Sequence, residues 1–429
     1  MSQYLLNTNK VLILNTISSF SGRVLKMIFG RKVKVLLCHR YGQPTLWQQL
    51  RITGLVLLAV LIGVFALLVF LGPVLFYFSP SLQDYLIFRG SPDFSTELAA
   101  PELLNLKNAR AFYITTDEGI KLGTWHILPS AAPNPTSPES IGSRSARFED
   151  ELRKDGSVAV IYFHGNTPSR AQAHRVDLYR ILADLGCHVI AFDYRSFADS
   201  SIAPLSETAL VKDGMFVYDY ILERVGPGTA IILWGHSLGS GIAASVAAAL
   251  CGRGSSSDMQ HCADGLVLHA GFTDLLSAIQ DNSLAVVMNW VPWFTPLVRS
   301  TLEQRDLMFN TTANVVRVSG PLLVLHAQDD DILPVTHGRA LRVAASGRGG
   351  DSDAAGGASG VTYIEFSGDF GYSHNGIVEA PELRQIAGEY IQLCREFHSL
   401  VQDMYRSGAS LVHRSRLIAA LHAHALPLR

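Results

Sequence analysis

The sequence predicts an α/β fold with a mainly parallel sheet, preceded by one transmembrane helix, and three observations predict it. Short, wholly apolar runs alternate with helix-length segments from Val158 onward. The pentad Gly235-His236-Ser237-Leu238-Gly239 closes one of these runs and opens a helix of small residues. Ahead of both lies a stretch from Ile52 to Gln83 with no charged residue. At 429 residues and 48% hydrophobic content, the chain is long enough for a large α/β core plus a membrane segment.

In chain order, residues 1–51 form a tail with eight basic residues (Lys10, Arg23, Lys26, Arg31, Lys32, Lys34, Arg40, Arg51) and no Asp or Glu. Residues 52–78 follow as the span. About 20 apolar residues cross roughly 30 Å of hydrocarbon, so this segment suffices with some tilt. It begins too far from Met1, and runs too long, to read as a cleaved signal peptide. Asp84, Asp93, Glu97 and Glu102 come after it, so the positive-inside rule keeps the tail cytosolic and sends the rest across, a type II topology. Setting the tail's eight basic residues aside leaves 27 Lys and Arg against 37 Asp and Glu, a net charge near −10. Such a domain is not drawn to nucleic acid or anionic lipid by bulk electrostatics.

Residues 79–103 read as a connector, and residues 104–397 as the catalytic domain. Ala111 to Ile114 and Lys121 to His126, separated by Asp-Glu-Gly, read as a hairpin. A Pro/Ser-rich loop is expected from Pro129 to about Gly156. Then come a strand at Val158 to Phe163, a helix near 170–185, a strand at His188 to Phe192, a helix near 207–224 and the strand that begins at Ile231. Asp264 to His269, Pro321 to His326 and Val361 to Phe366 continue the sheet, and a helix begins near Pro381-Glu382. Residues 346–360 are low-complexity and read as a mobile surface insertion, and 398–429 as a C-terminal extension.

Chemistry enters at the ends of these strands. A serine between a strand and a helix, with glycine two positions away on each side (Gly235 and Gly239), fits a nucleophile elbow, because only glycine lets strand and helix pack that closely. Ser237 is the expected nucleophile. The acid and base of such a site come later in the chain, each on a loop after a strand. The apolar run to His326 empties into Asp329-Asp330-Asp331, any of which can orient an imidazole. His374, after the last strand, occupies the place of the general base. His164-Gly165-Asn166 follows the first strand of the alternation, and the backbone N–H groups of Asn166 and Leu238 form a candidate oxyanion hole.

Between two strands, residues 271–318 are longer than a plain crossover and include the apolar run Leu284 to Phe294, a candidate cap or lipid entry. Cys251 and Cys262 flank a Gly/Ser loop where a bridge is possible. No Cys/His spacing suggests zinc, and neither metal nor cofactor is expected. Asn310-Thr311-Thr312 is a glycosylation sequon.

The motifs HGN, HRVDLYRILADLGCHVIAFDYR, WGHSLGS, PLLVLHAQDDDILP and FGYSH, in this order across residues 104–395, resemble the α/β-hydrolase-domain proteins of the twelfth type. These are membrane lipases acting on lysophosphatidylserine and monoacylglycerol. The resemblance implies an α/β-hydrolase fold and an endoplasmic reticulum membrane location with a lumenal catalytic domain. It also implies the triad Ser237, Asp330 and His374. Asp330 is chosen among its neighbours because the family's acid stands four residues before the proline, here Pro334. The implied partners are the lipid substrate and the bilayer. One loop departs from the family: after Asp193-Tyr194-Arg195 the pattern Gly-Trp-Gly-Asp-Ser becomes Ser196-Phe197-Ala198-Asp199-Ser200, which puts the backbone path and the headgroup pocket in question. The alternatives are a cytosolic acyl-protein thioesterase with the same triad and a non-catalytic, lipid-binding pseudo-hydrolase.

Overall fold

The computed structural model describes residues 45–89, 92–133, 139–253, 262–347 and 360–407. The basic tail as far as residue 44, the low-complexity insertion from 348 to 359 and the C-terminal extension from 408 lie outside the described residues. The chain divides at Phe78 into two compact units.

The first unit contains α1, a helix running Leu46–Phe78 with a π-helical stretch at Leu67–Leu71. Thr45 caps it through a reciprocal capping box with Gln48. The helix is 33 residues long, and an 18-residue window within it has a mean hydropathy of 3.1. This is long and apolar enough for a single transmembrane anchor. The helix starts six residues before the uncharged stretch, because Thr45 sets the boundary rather than the charge at Arg51.

The second unit opens with α2 (Pro80–Phe88), capped by Ser79 and carrying Pro80 at its first position. Gln83, Ile87 and Phe88 are buried. The segment expected as a connector is therefore docked into the unit. The hairpin is β1 (Ala109–Thr115) and β2 (Lys121–Ile127), paired from Ala109 against Ile127 to Thr115 against Lys121. Within the expected Pro/Ser-rich loop the structure has a helix, α3 (Ile141–Leu152), which corrects that reading. Ser140 caps it, and Phe148 and Leu152, one turn apart, bury on its inner side, where Phe148 packs with Leu128 and Ala132.

The alternation then proceeds through β3 (Val158–Phe163), α4 (Ala173–Asp184), β4 (Cys187–Phe192), α5 (Glu207–Leu222), β5 (Ala230–His236) and α6 (Leu238–Cys251). It continues with β6 (Gly265–His269), the helices α7 (Leu275–Asp281), α8 (Ser283–Met288), α9 (Phe294–Gln304) and α10 (Thr311–Val315), and β7 (Leu322–Ala327). The last elements are α11 (Thr336–Ser346), β8 (Val361–Phe366) and α12 (Leu383–Ser407). Residues 271–318 thus hold four helices. The sheet has eight strands in the order β1-β2-β4-β3-β5-β6-β7-β8, parallel from β4 to β8 and antiparallel at β1 and β2.

Every residue of β3, β4, β5, β6 and β7 is buried, because helices cover both faces of a parallel sheet and leave no side for polar residues. The helix after β5 is built from Gly, Ala and Ser, and nearly all of it is buried. Small side chains let it lie close against the sheet. Cys251 at its end is joined by a disulfide to Cys262. α12 extends to Ser407 and buries Val401 and Met404, so the first turns of the expected C-terminal extension belong to this helix.

Candidate active site

The loops at the C-terminal ends of β3, β5, β7 and β8 converge on one place. Ser237 caps the N-terminus of α6 with φ 53° and ψ −121°, a region that side chains other than glycine rarely enter. Such a conformation costs about 1–3 kcal/mol and persists because the surroundings over-determine it. Those surroundings are tight. A Cβ on Gly235 would strike the Gly239 carbonyl, and one on Gly239 would strike the carbonyl of Phe163. The strand-to-helix turn is thereby forced to lift the Ser237 hydroxyl above the sheet.

That hydroxyl donates to His374 Nε2 at 2.9 Å, and His374 Nδ1 donates to Asp330 Oδ2 at 2.8 Å. The structure thus brings Ser237, His374 and Asp330 into one hydrogen-bonded chain; all three are buried. Asp330 Oδ1 accepts the backbone N–H groups of Ile332 at 3.0 Å and Leu333 at 2.8 Å. Burial pushes the Asp330 carboxyl upward, but hydrogen bonds from His326 and His374, together with the Leu333 N–H, hold it well below the usual carboxylate range. It is an ionised acceptor. Its neighbours face elsewhere: Asp329 Oδ2 accepts the Ser373 N–H at 2.9 Å, and Asp331 Oδ1 accepts the Ser373 hydroxyl at 2.5 Å. Two carboxylates therefore hold the residue before His374, and the third meets the imidazole. Ser373 has φ 48°, so strain stands beside His374 as well as at Ser237.

Three further imidazoles surround His374. His236 lies 5.2 Å from it between ring centres, His269 lies 4.7 Å from His236, and His174 lies 5.4 Å from His236. Burial lowers His236 well below the ordinary value, brings His269 to about 3 and brings His174 to about 4. These rings are neutral at neutral pH and add no charge beside His374.

The loop after β3 passes over Ser237 so closely that a Cβ on Gly165 would stand 3.1 Å from Ser237 Cβ. Among the described residues, no protein group accepts the backbone N–H of Asn166 or of Leu238. Both donors are free for a ligand. Arg175, nearly fully buried on α4, holds this loop: Nη2 donates to Thr167 Oγ1 at 2.6 Å and to the Gly165 carbonyl at 3.4 Å, and Nη1 donates to the Ser169 carbonyl. Sequence reasoning assigned no role to Arg175, although it stands in the HRVDLY motif. Asn310 lies apart from the site, exposed, where its side chain caps α10 by accepting from Ala313 N–H at 3.0 Å.

In the departing loop, Ser196 and Ala198 have φ 64° and 46°. Both thus keep a backbone that glycine adopts freely. Ser196 Oγ donates to the Ala203 carbonyl at 2.7 Å and accepts from Ala203 N–H at 3.0 Å, closing the loop as glycine cannot. Phe197 is fully buried, edge-on to His164 at 5.2 Å.

An elbow after the central parallel strand, with imidazole and carboxylate on the loops after β8 and β7, defines an α/β hydrolase. A family profile described as alpha/beta hydrolase fold matches residues 158–310. The chain is similar to lysophosphatidylserine lipase ABHD12 of Danio rerio, 30% identical over 357 residues, which cover 83% of this chain and 86% of that protein. It is similar to the protein of the same name from Macaca fascicularis, 31% identical over 321 residues, covering 74% and 76%. Among solved structures, the Pyrococcus furiosus esterase Pf2001 superposes with a TM-score of 0.48 at 16% identity, covering 70% of this chain and 96% of that one. The chain belongs to the ABHD12 family of α/β hydrolases and is a lipid ester hydrolase.

Proposed function

We propose that the protein cleaves the acyl ester of lysophospholipids, lysophosphatidylserine first among them, or of monoacylglycerols, through Ser237, His374 and Asp330. The observation that carries this reading is the hydrogen-bonded chain from the strained Ser237 through His374 to a depressed Asp330 carboxyl. The names of the ABHD12 relatives supply the substrate class.

In the first half-reaction Ser237 Oγ attacks the ester carbonyl carbon while His374 Nε2 takes the hydroxyl proton. The carbonyl oxygen becomes an oxyanion facing the N–H groups of Asn166 and Leu238; one such donor contributes on the order of 3 kcal/mol in the transition state. The C–O bond to the glycerol moiety breaks, and the leaving oxygen takes the proton from His374. Water then attacks the acyl-enzyme, His374 again accepts the proton, and the fatty acid leaves as Ser237 recovers it. Asp330 stays ionised throughout and fixes the imidazole's tautomer. No metal or cofactor takes part in these steps.

We further infer a type II anchor in the endoplasmic reticulum with the catalytic unit lumenal. The basic tail before α1 supports this orientation, and so does the Cys251–Cys262 disulfide, which belongs to an oxidising compartment. Residues 271–318, with Trp290 88% exposed, are the segment through which an acyl chain would enter.

The test is Ser237→Ala in the full-length protein, assayed on lysophospholipids of several headgroups and on monoacylglycerol. Hydrolysis and labelling by a fluorophosphonate probe should both disappear. Full activity in that variant would end the triad reading. Activity on an acyl-protein thioester but on none of the lipids would favour a thioesterase.

A further inference from the structure

We infer that α2, the helix that follows the transmembrane segment in the chain, is a working part of the active site, and that the Asn166 side chain is the positioning group that joins them. The proposal rests on the reading of Asn166 N–H as an oxyanion donor. The residue has two separate polar groups. Its backbone N–H has no acceptor among the described residues, while its carboxamide Nδ2 donates to the Ile87 carbonyl at 3.2 Å. The last carbonyls of a helix have no partner within it, so Ile87 offers an acceptor that Asn166 satisfies. The helix stops just beyond, at Arg89, in a left-handed conformation with φ 45°.

A second contact joins the same two segments. Phe88, fully buried, meets Phe197 edge-on at 6.4 Å, and Phe197 meets His164 edge-on at 5.2 Å, two residues before Asn166. The far end of α2 is held by Arg305, which follows α9. Its Nη1 donates to Gln83 Oε1 at 2.7 Å and to the Pro80 carbonyl at 3.2 Å, and its Nη2 donates to Asp84 Oδ1 at 2.7 Å. The helix is therefore clamped between the segment of residues 271–318 and the oxyanion loop. Because Gly165 leaves no slack above Ser237, a small shift of this loop moves the Asn166 N–H relative to the oxyanion. Misplacement on the order of 1 Å is enough to cost about a hundredfold in rate.

The experiment uses the full-length protein in detergent micelles with p-nitrophenyl butyrate, whose rate is expressed per fluorophosphonate-titrated site so that unfolded molecules do not count. Asn166→Ala keeps the backbone donor and removes the carboxamide. It should lower kcat at least tenfold with KM within about twofold, because the substrate's ground state does not use the displaced donor. Arg305→Gln, far along α2, should lower kcat in the same way but less. The double variant should lose little more than Asn166→Ala alone, since both changes release the same helix. An unchanged kcat in Asn166→Ala, or losses that multiply in the double variant, would overturn the proposal. If Asn166→Ala yields no titratable sites, Arg305→Gln decides: a kcat equal to wild type overturns it. A dead Ser237→Ala beside an unaffected Asn166→Ala sinks this inference and leaves the triad standing.

Discussion

At the residue scale the three consecutive aspartates separate by what each one faces. Asp330 alone meets His374 and also takes two backbone N–H groups, whereas Asp329 and Asp331 hold Ser373. Asparagine at 330 would present an N–H₂ or a neutral oxygen to the imidazole and lose control of its tautomer; we expect kcat to fall about 10⁴-fold. Asparagine at 329 or 331 retains an oxygen acceptor for Ser373, so losses within about tenfold are expected. Steady-state kinetics of the three variants measures this, and equal losses would refute the assignment. The residues alone left the three aspartates open and the family resemblance pointed to Asp330; neither indicated what Asp329 and Asp331 hold, because spacing in sequence says nothing of which way adjacent side chains turn on a loop.

At the scale of elements, the strands were legible because buried parallel strands are written as unbroken apolar runs, of which VAVIYF at β3 is the clearest. The helix α3 was not, since its polar composition and the prolines before it conceal two apolar residues one turn apart, Phe148 and Leu152. The loop of residues 196–203 shows the reverse. Its sequence departs from the family pattern, yet its backbone has positive φ at the two positions where that pattern has glycine. The strain at Ala198 is not offset by a side-chain hydrogen bond, so Ala198→Gly should leave stability within about 1 kcal/mol of wild type, relief of the left-handed penalty being opposed by glycine's extra unfolded-state entropy and by loss of a buried methyl. At Ser196 the same change loses two hydrogen bonds and should give no gain. Thermal or denaturant unfolding of the two variants compares them. A larger gain at 196 than at 198 would contradict the explanation.

At the scale of the whole molecule, two properties can be tested, one set by buried histidines and the other by the charge of the tail. Burial holds His269 near 3 and His174 and His188 near 4, below the ordinary value of 6.5. A histidine lowered in the folded state binds its proton more readily when unfolded, so stability present at pH 7 is lost as pH falls below about 6.5. Each such group should cost about 2 kcal/mol by pH 5. Unfolding measured from pH 7 to 5 tests this; His188→Gln should flatten the slope, and an unchanged slope would show that His188 is not among the responsible groups. The second property is topology. If the tail is cytosolic, as proposed, sealed microsomes should protect the catalytic unit from added protease, and Asn310→Gln should abolish any endoglycosidase-sensitive mobility shift, since Asn310 is exposed. Digestion of the unit from the cytosolic side would reverse the orientation and restore the thioesterase alternative.

The sequence by itself determined the parallel sheet, the long apolar helix and the order in which Ser237, the aspartates and His374 follow the strands, because apolar runs, lost charge and glycine spacing are local properties of the chain. Only the tertiary structure decided that Arg175 holds the loop after β3, that Asp329 and Asp331 serve Ser373, and that α2 reaches Asn166. The last of these joins residues 79 positions apart, and no local pattern encodes a hydrogen bond from a side chain to a distant carbonyl. Such a bond is set by where the packed sheet carries its loops, which is a property of the assembled fold.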